Sequence, residues 1–304
     1  MAKPIEIVVV SGKGGTGKTV LASSLAALID DLVVADCDVD APDMHLLLEP
    51  TIVRHEVFSG SKVASIDPDT CISCATCAEV CRFGAVNEEI SGKARAYSID
   101  GLACEGCGVC AWNCPSGAID LGDAPTGNWY VSRTRFGKMI HARLGVAQET
   151  SGKLVTVVRR EARCTAIADR TTFVLIDGPP GIGCPVIASI AGADLAVIVT
   201  EPTLSGLHDL KRILGLTKHF ELRTAVVINK YDLNSEMCTQ IQGFLEEQKI
   251  PLAGKIRFDG QVNKAIAAGK TIVEYSDSEA AREIKRIADW ITRSIHTGQG
   301  ARTR

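Results

Sequence analysis

The sequence has no marked excess of either charge: 33 Lys and Arg stand against 36 Asp and Glu, a net charge of −3. Nucleic-acid binding needs a basic stripe to meet the phosphates, so no nucleic-acid partner is expected. Long apolar runs are missing as well. The longest, such as Ile5–Val10 and Leu195–Val199, fall far short of the roughly 20 residues that cross a bilayer. The chain reaches a glycine loop by Gly12, leaving no room for an export signal, and a cytoplasmic protein is expected. Its six histidines show no ligand spacing. What is present is 46 % hydrophobic residues in 304, enough for a substantial core, and 12 cysteines. So many cysteines without an export signal point to metal or redox chemistry, not to disulfides.

Ile5–Val10 is a run apolar except for Glu6 and ending in Ser-Gly, the pattern of a strand buried on both faces. Lys18–Ile29 follows with helical spacing, and Leu32–Ala35 is a second short strand ending in acids. From about Val63 to Gly122 the composition shifts to Cys, Gly, Ala and polar turns. Past Asn128 a solvated hairpin around Arg135–His141 is expected, then a helix over Lys153–Ala168. Phe173–Ile176, Leu195–Val199 and Ala225–Ile228 are further strands, each followed by a turn and a helical segment. Strands alternating with helices predict an α/β fold with a parallel sheet covered on both faces. Glu279–Ile295 closes the chain as an amphipathic helix, with Ile284, Ile287, Ile291 and Ile295 opposite Arg282, Lys285, Arg286 and Arg293. Such a helix can lie on a membrane or on a sheet; packing on the sheet is the expectation, with no membrane partner. The tail Thr297–Arg304 is expected to be disordered.

The cysteine-rich stretch is an internal repeat. Ser65-Ile66-Asp67 returns as Ser98-Ile99-Asp100, Cys71, Cys74, Cys77 and Cys81 as Cys104, Cys107, Cys110 and Cys114, and Gly84-Ala85-Val86 as Gly117-Ala118-Ile119, always 33 residues on. The runs Cys71-x2-Cys74-x2-Cys77-x3-Cys81 and Cys104-x2-Cys107-x2-Cys110-x3-Cys114-Pro115 match the spacing of bacterial ferredoxins with two [4Fe–4S] clusters. Three thiolates at two-residue gaps curl around one cubane, and the fourth crosses to the other. The expected ligand sets are Cys71, Cys74, Cys77 and Cys114 for one cluster, and Cys104, Cys107, Cys110 and Cys81 for the second. Structural zinc sites usually pair two CxxC units across a longer gap, which this spacing does not follow. Arg82 stands where the first run would usually carry proline. Over about 60 residues the stretch resembles a two-cluster ferredoxin.

Gly12-Lys13-Gly14-Gly15-Thr16-Gly17-Lys18-Thr19 fits the phosphate loop between a strand and a helix, where backbone amides and a helix N-terminus cradle phosphate. Lys18 is expected to reach the β- and γ-phosphates of ATP and Thr19 to ligate Mg²⁺. With its early Lys13, the loop resembles the deviant Walker A of the MinD, ParA, Mrp and nitrogenase iron-protein group. That resemblance implies an ATP-dependent homodimer in which Lys13 acts in trans on the partner's nucleotide. It also implies that Asp38 orients the attacking water, with Asp36 beside it in the Mg²⁺ shell. Phe173–Ile176 delivers Asp177, the Walker B acid, and Gly178-Pro179-Pro180-Gly181 resembles switch II. Asn229 resembles the residue that contacts adenine in the MinD group; Asn229-Lys230-Tyr231-Asp232 also fits the guanine reader of GTPases, and Lys13 favours ATP.

Cys184 follows Asp177 by seven residues, as a cluster cysteine does in the nitrogenase iron protein, but no second cysteine accompanies it. Buried free thiols are the expectation for Cys37, Cys164, Cys184 and Cys238. The whole chain thus resembles MinD-superfamily P-loop ATPases with an inserted ferredoxin: residues 1–62 and 124–304 form the ATPase, and 63–123 the small α+β insert. The function this implies is ATP hydrolysis coupled to electron transfer through two [4Fe–4S] clusters, to or from a protein or metallocofactor partner. An iron–sulfur assembly ATPase of the Mrp type and a MinD-like positioning ATPase with redox-sensing clusters are the alternatives.

Overall fold

The computed structural model describes residues 3–91, 94–145 and 151–297; nearly all of the tail expected to be disordered lies outside them. In chain order the elements are β1 (Ile5–Ser11), α1 (Lys18–Ala26), β2 (Leu32–Asp36), α2 (Met44–Leu48), β3 (Thr51–Phe58), β4 (Ser61–Ile66), α3 (Thr76–Val80), β5 (Val86–Ser91), β6 (Ala94–Ile99), α4 (Val109–Trp112) and β7 (Ile119–Ala124). They continue as β8 (Gly127–Thr134), β9 (Gly137–Leu144), α5 (Ser151–Asp169), β10 (Phe173–Pro180), α6 (Cys184–Ile190), β11 (Leu195–Thr200), α7 (Leu204–His219) and β12 (Thr224–Asn229). The last are α8 (Ser235–Glu247), β13 (Leu252–Ile256), α9 (Gln261–Ala267), α10 (Ile272–Tyr275) and α11 (Glu279–Thr297). The chain forms two compact units, one of Met1–Glu56, Trp129–Arg143 and Ser151–Arg304, the other of Val57–Asn128 and Leu144–Thr150.

The large unit is built on a nine-stranded sheet in the order β13-β12-β11-β1-β10-β2-β9-β8-β3. Neighbours from β13 to β9 run parallel. Helices cover both faces, so the central strands are apolar throughout: Ile7, Val8, Val9 and Val10 are fully buried. Away from the carboxyl ends of the strands, where Asp36 and Asp177 lie, one buried charge stands near the start of β1. Glu6 of β1 is buried, and its carboxylate accepts hydrogen bonds from Arg159 and Arg163 of α5. Burial alone would raise the Glu6 pKa, but the two guanidinium groups outweigh it and hold the carboxyl below its ordinary value. Arg159 also donates to the carbonyls of Ala188 and Ala191 at 2.8 Å, binding α5 to the end of α6.

The final helix packs on the sheet as expected. Ile284, Ile287 and Ile291 lie in the main core with Leu21 and Leu25 of α1, each such burial contributing about 1.5–3 kcal/mol. Gly254 of β13 allows the approach, since a Cβ there would sit 2.5 Å from Ile287 Cγ1. No helix among the described residues is long and apolar enough to cross a membrane. The hairpin around Arg135 is present as β8 and β9, but it is not solvated: β9 pairs with β2, with His141 in register with Asp36. His141 Nε2 lies 2.8 Å from Ser132 Oγ and its ring stacks on Tyr130. Arg135 donates to Glu274 and to the carbonyls of Leu47 and Gly269. Its charge is used inside the fold and is not free for a partner.

The small unit has an internal two-fold relation that follows the 33-residue repeat. β4 pairs antiparallel with β7, and its repeat counterpart β6 pairs with β5, in the same register: Ser61 faces Ala124, and Ala94 faces Ser91. Asp67 N–H donates to Ala118 O, as Asp100 N–H does to Ala85 O, both at 2.8 Å. Each half therefore borrows a strand from the other. Ser73 and Ala75 adopt positive φ where the second copy has Gly106 and Gly108, so the two turns share one path despite different residues. The unit's core is small: Ala64, Cys77, Tyr97 and Ile119 are its buried members.

Candidate functional site

The large unit opens a cavity of about 560 Å³ at the carboxyl ends of its parallel strands, where ligands of open α/β sheets bind. Gly14, Gly15, Thr16, Gly17, Lys18 and Thr19 line it together with Asp38 and Asn229. β1 ends at Ser11, the loop turns at Gly15 and Gly17 with positive φ, and α1 begins at Lys18. Gly17 is required twice, by its φ of 87° and because a Cβ would lie 2.3 Å from Asn229 Nδ2. Asn229 Nδ2 donates to Thr16 O at 2.7 Å, which holds the loop against the end of β12.

Behind the loop lies a compact charge cluster. Lys18 Nζ is 2.9 Å from Asp177 and 3.5 Å from Asp38, all within a mostly buried pocket. Burial would lower the Lys18 pKa, but Asp177 and Asp38 outweigh it and raise it. Asp36 lies beside Asp177 in strand register. Its Oδ2 is buried without a hydrogen-bond partner, and burial, then the charge of Asp177, pushes its pKa well up. A buried carboxylate oxygen left open next to other carboxylates is what a cation site presents. Cys37 N–H donates to Asp177 O, and Gly181 N–H to Ser11 O, both close to 2.9 Å or shorter, so the Gly-Pro-Pro-Gly turn is fastened to the strand that leads into the phosphate loop.

Gly12 and Lys13 are in the loop but outside the cavity lining. Lys13 Nζ lies 3.4 Å from Glu201 and 3.1 Å from Ser205 Oγ. Glu201 also takes Lys230 Nζ at 2.5 Å, and that ammonium donates to Gly15 O at 3.1 Å. Sequence reading missed Glu201 and Ser205, and it missed Arg257, Phe258 and Asp259, which line the cavity just after β13. The signal was available: all follow carboxyl ends of strands in the parallel series.

The cysteines of the small unit fall into two groups. One cavity is lined by Cys71, Cys74, Cys77 and Cys114, and the other by Cys81, Cys104, Cys107 and Cys110. Each group takes three thiols from one copy and the fourth from the other. Backbone donors repeat across the two: Ala118 N–H reaches Cys114 Sγ at 3.3 Å and Ala85 N–H reaches Cys81 Sγ at 3.4 Å. Among the described residues no three His, Cys, Asp or Glu side chains converge as around a single metal ion. The four remaining cysteines divide: Cys37 and Cys238 are buried, whereas Cys164 and Cys184 are exposed, which corrects the expectation of burial for that pair. Both exposed thiols lie on helices that cover the sheet.

Residues 7–272 match the CobQ/CobB/MinD/ParA nucleotide binding domain. The chain belongs to this family. This P-loop ATPase is 31 % identical over 286 residues to an uncharacterized protein of Methanocaldococcus jannaschii, across 93 % of this chain and 95 % of that one. It is 25 % identical over 163 residues to an iron-sulfur cluster carrier protein of Pyrococcus furiosus, 49 % of this chain and 55 % of the carrier. Among solved structures, the septum site-determining protein MinD of Pyrococcus horikoshii complexed with Mg-ADP aligns with a TM-score of 0.55 at 18 % identity, over 97 % of this chain and 98 % of that one. That likeness gives the fold: a parallel-sheet α/β P-loop NTPase of the MinD and ParA type.

Proposed function

We infer that this ATPase carries two [4Fe–4S] clusters and couples nucleotide-driven switching to electron transfer through them. The observation that carries the reading is the division of eight cysteines into two interlocked sets of four, each lining its own cavity. Eight thiols in two such sets, with backbone amides already aimed at sulfur, suit cubane clusters better than single ions. Bound clusters would supply one-electron chemistry; the protein's part is to hold them, set their surroundings and link them to the phosphate site by a continuous chain. Asp38 leads out of that site towards the small unit in sequence, and the return path enters α5 and then the switch-II turn after β10.

At the phosphate site Lys18 binds the β- and γ-phosphates of ATP, displacing its contacts with Asp177 and Asp38. Thr19 and Asp36 hold Mg²⁺, the cation for which the open Asp36 Oδ2 is suited, with Asp177 behind them. Asp38 orients the attacking water, and Asn229 meets the adenine. Lys13 acts across an ATP-dependent homodimer, which requires it to leave Glu201 and Ser205. The redox partner is a protein or a metallocofactor site. A second reading, iron–sulfur carriage, is favoured by the similarity to the Pyrococcus furiosus cluster carrier.

Anaerobic purification with iron, sulfide and EPR analysis tests the proposal. The expected result is eight irons and eight sulfides per chain, two interacting cubane signals, and Mg-dependent ATP hydrolysis with clusters retained over repeated turnovers. Zinc in place of iron would sink it, and clusters that depart to an apo-acceptor on ATP addition would favour carriage.

A further inference from the structure

The two-fold relation of the small unit provides an internal control, because every residue lining the cavity of Cys71, Cys74, Cys77 and Cys114 has a counterpart 33 residues away lining the other. The backbone donors to sulfur are the same on both sides. The side-chain donors are not. In the first cavity Thr76 Oγ1 lies 3.3 Å from Cys74 Sγ, and Ser116 Oγ lies 3.7 Å from Cys114 Sγ. The counterparts of Thr76 and Ser116 are Val109 and Phe83, both lining the second cavity and neither able to donate. Once a cysteine binds iron its sulfur is a thiolate, an acceptor only, so the hydroxyl must be the donor.

Resting on the two-cluster reading above, we propose that Thr76 and Ser116 are positioning residues that make the two clusters unequal: the cluster held by Cys71, Cys74, Cys77 and Cys114 has the higher reduction potential and receives the first electron. Reduction adds negative charge to a cluster and its sulfurs, and hydrogen bonds to those sulfurs favour the reduced form. Phe83 at the second cavity replaces a donor with an apolar ring and disfavours the added charge there. An electron delivered to the second cluster by a one-electron reductant, itself oxidised in giving it, would therefore pass on to the first, re-oxidising the second cluster as the first is reduced.

Among nearby charges Glu105, which lines the second cavity where the first has Ile72, acts in the same sense; those of Asp69, Glu79 and Arg82 act in the opposite sense and are weaker. Asp69 and Glu79 belong to the half that supplies three ligands to the first set, and Arg82 adjoins Cys81 of the second; all three are exposed. Solvent and salt screen exposed charges, whereas a hydroxyl in contact with sulfur acts directly.

The test is an EPR-monitored redox titration of the anaerobically purified full chain beside its Thr76→Val, Ser116→Ala and Val109→Thr variants. Two reduction steps are expected in the parent protein. Thr76→Val and Ser116→Ala each lower the higher step and leave the lower one in place, while Val109→Thr raises the lower step and narrows the gap. Unmoved potentials in variants with full iron content, or movement of the lower step in Thr76→Val, overturn the inference and leave the two-cluster reading standing. Absence of iron from the parent protein overturns both.

Discussion

The large and small units solve the problem of an open ligand site in different ways. In the large unit β1, β10, β2 and β11 at the middle of the sheet are almost wholly buried, and the cationic loop is held ready by its own acids: Lys18 on Asp177 and Asp38, Lys13 and Lys230 on Glu201. The site stands without its nucleotide because its charges are already paired. In the small unit the core cluster is Ala64, Cys77, Tyr97 and Ile119, with Cys104, Cys110 and Cys114 packed against them. The ligand-binding thiols are themselves part of the core. One unit is a folded scaffold with an open site; the other, on the two-cluster proposal, would be completed by what it binds.

The sharpest way to break that comparison is to remove iron. A unit of this size supplies only about 3–5 kcal/mol from its own core, while metal binding contributes to folding directly. Chelation of the holoprotein should erase amide-exchange protection across β4–β7 while leaving β1, β10 and β11 protected. Unchanged protection in the small unit would show that it folds without a ligand.

Glu6→Gln comes next. It leaves Arg159 and Arg163 without their buried anion and should cost about 3–5 kcal/mol, read by denaturant unfolding of the large unit. The same carboxylate has a pH signature. Its pKa is lowered on folding, so its contribution is present above the ordinary carboxylate range and is lost as pH falls through it. Glu6→Gln should abolish that part of the acid sensitivity.

Lys18→Ala should weaken ATP binding by roughly 100-fold, the equivalent of losing about 3 kcal/mol of charge-assisted hydrogen bonds. Iron content should not change, since no cysteine set depends on Lys18. Isothermal titration with Mg-ATP checks the first expectation and iron analysis the second; wild-type affinity in the variant would refute the phosphate-loop assignment.

The smallest effect belongs to His141. Burial, with a lesser contribution from His45, pushes its pKa down to about 4. Between the ordinary histidine range and that value the unfolded chain takes up a proton that the folded protein refuses, so stability falls as pH falls through this window. Within that window the loss is about 1.4 kcal/mol per pH unit, and His141→Phe should flatten it in pH-dependent thermal melts.

Much of this was legible in the sequence because the signals were local. The phosphate loop, the apolar runs of β1, β10, β11 and β12, and the cysteine spacing each declare themselves within ten or so residues. Residues that meet only through the fold were not legible. The place of Glu201 after β11 could be read, but its convergence on Lys13 and Lys230 needs the strand order. β9 was read as part of a solvated hairpin because His141 stands among basic residues in sequence; the pairing with β2 takes it into the sheet, with Met139 and Ile140 buried. The 33-residue repeat announced two copies, but the exchange of strands between them, and the contrast of Thr76 and Ser116 with Val109 and Phe83, needed the paired registers.

Whether the two units work together is decided by one measurement, the reduction potentials of the iron centres with and without bound Mg-ATP. The account predicts that saturating Mg-ATP moves at least one potential and that Lys18→Ala abolishes the movement. Potentials identical in both states, in a protein that binds ATP and holds its full iron, would contradict it.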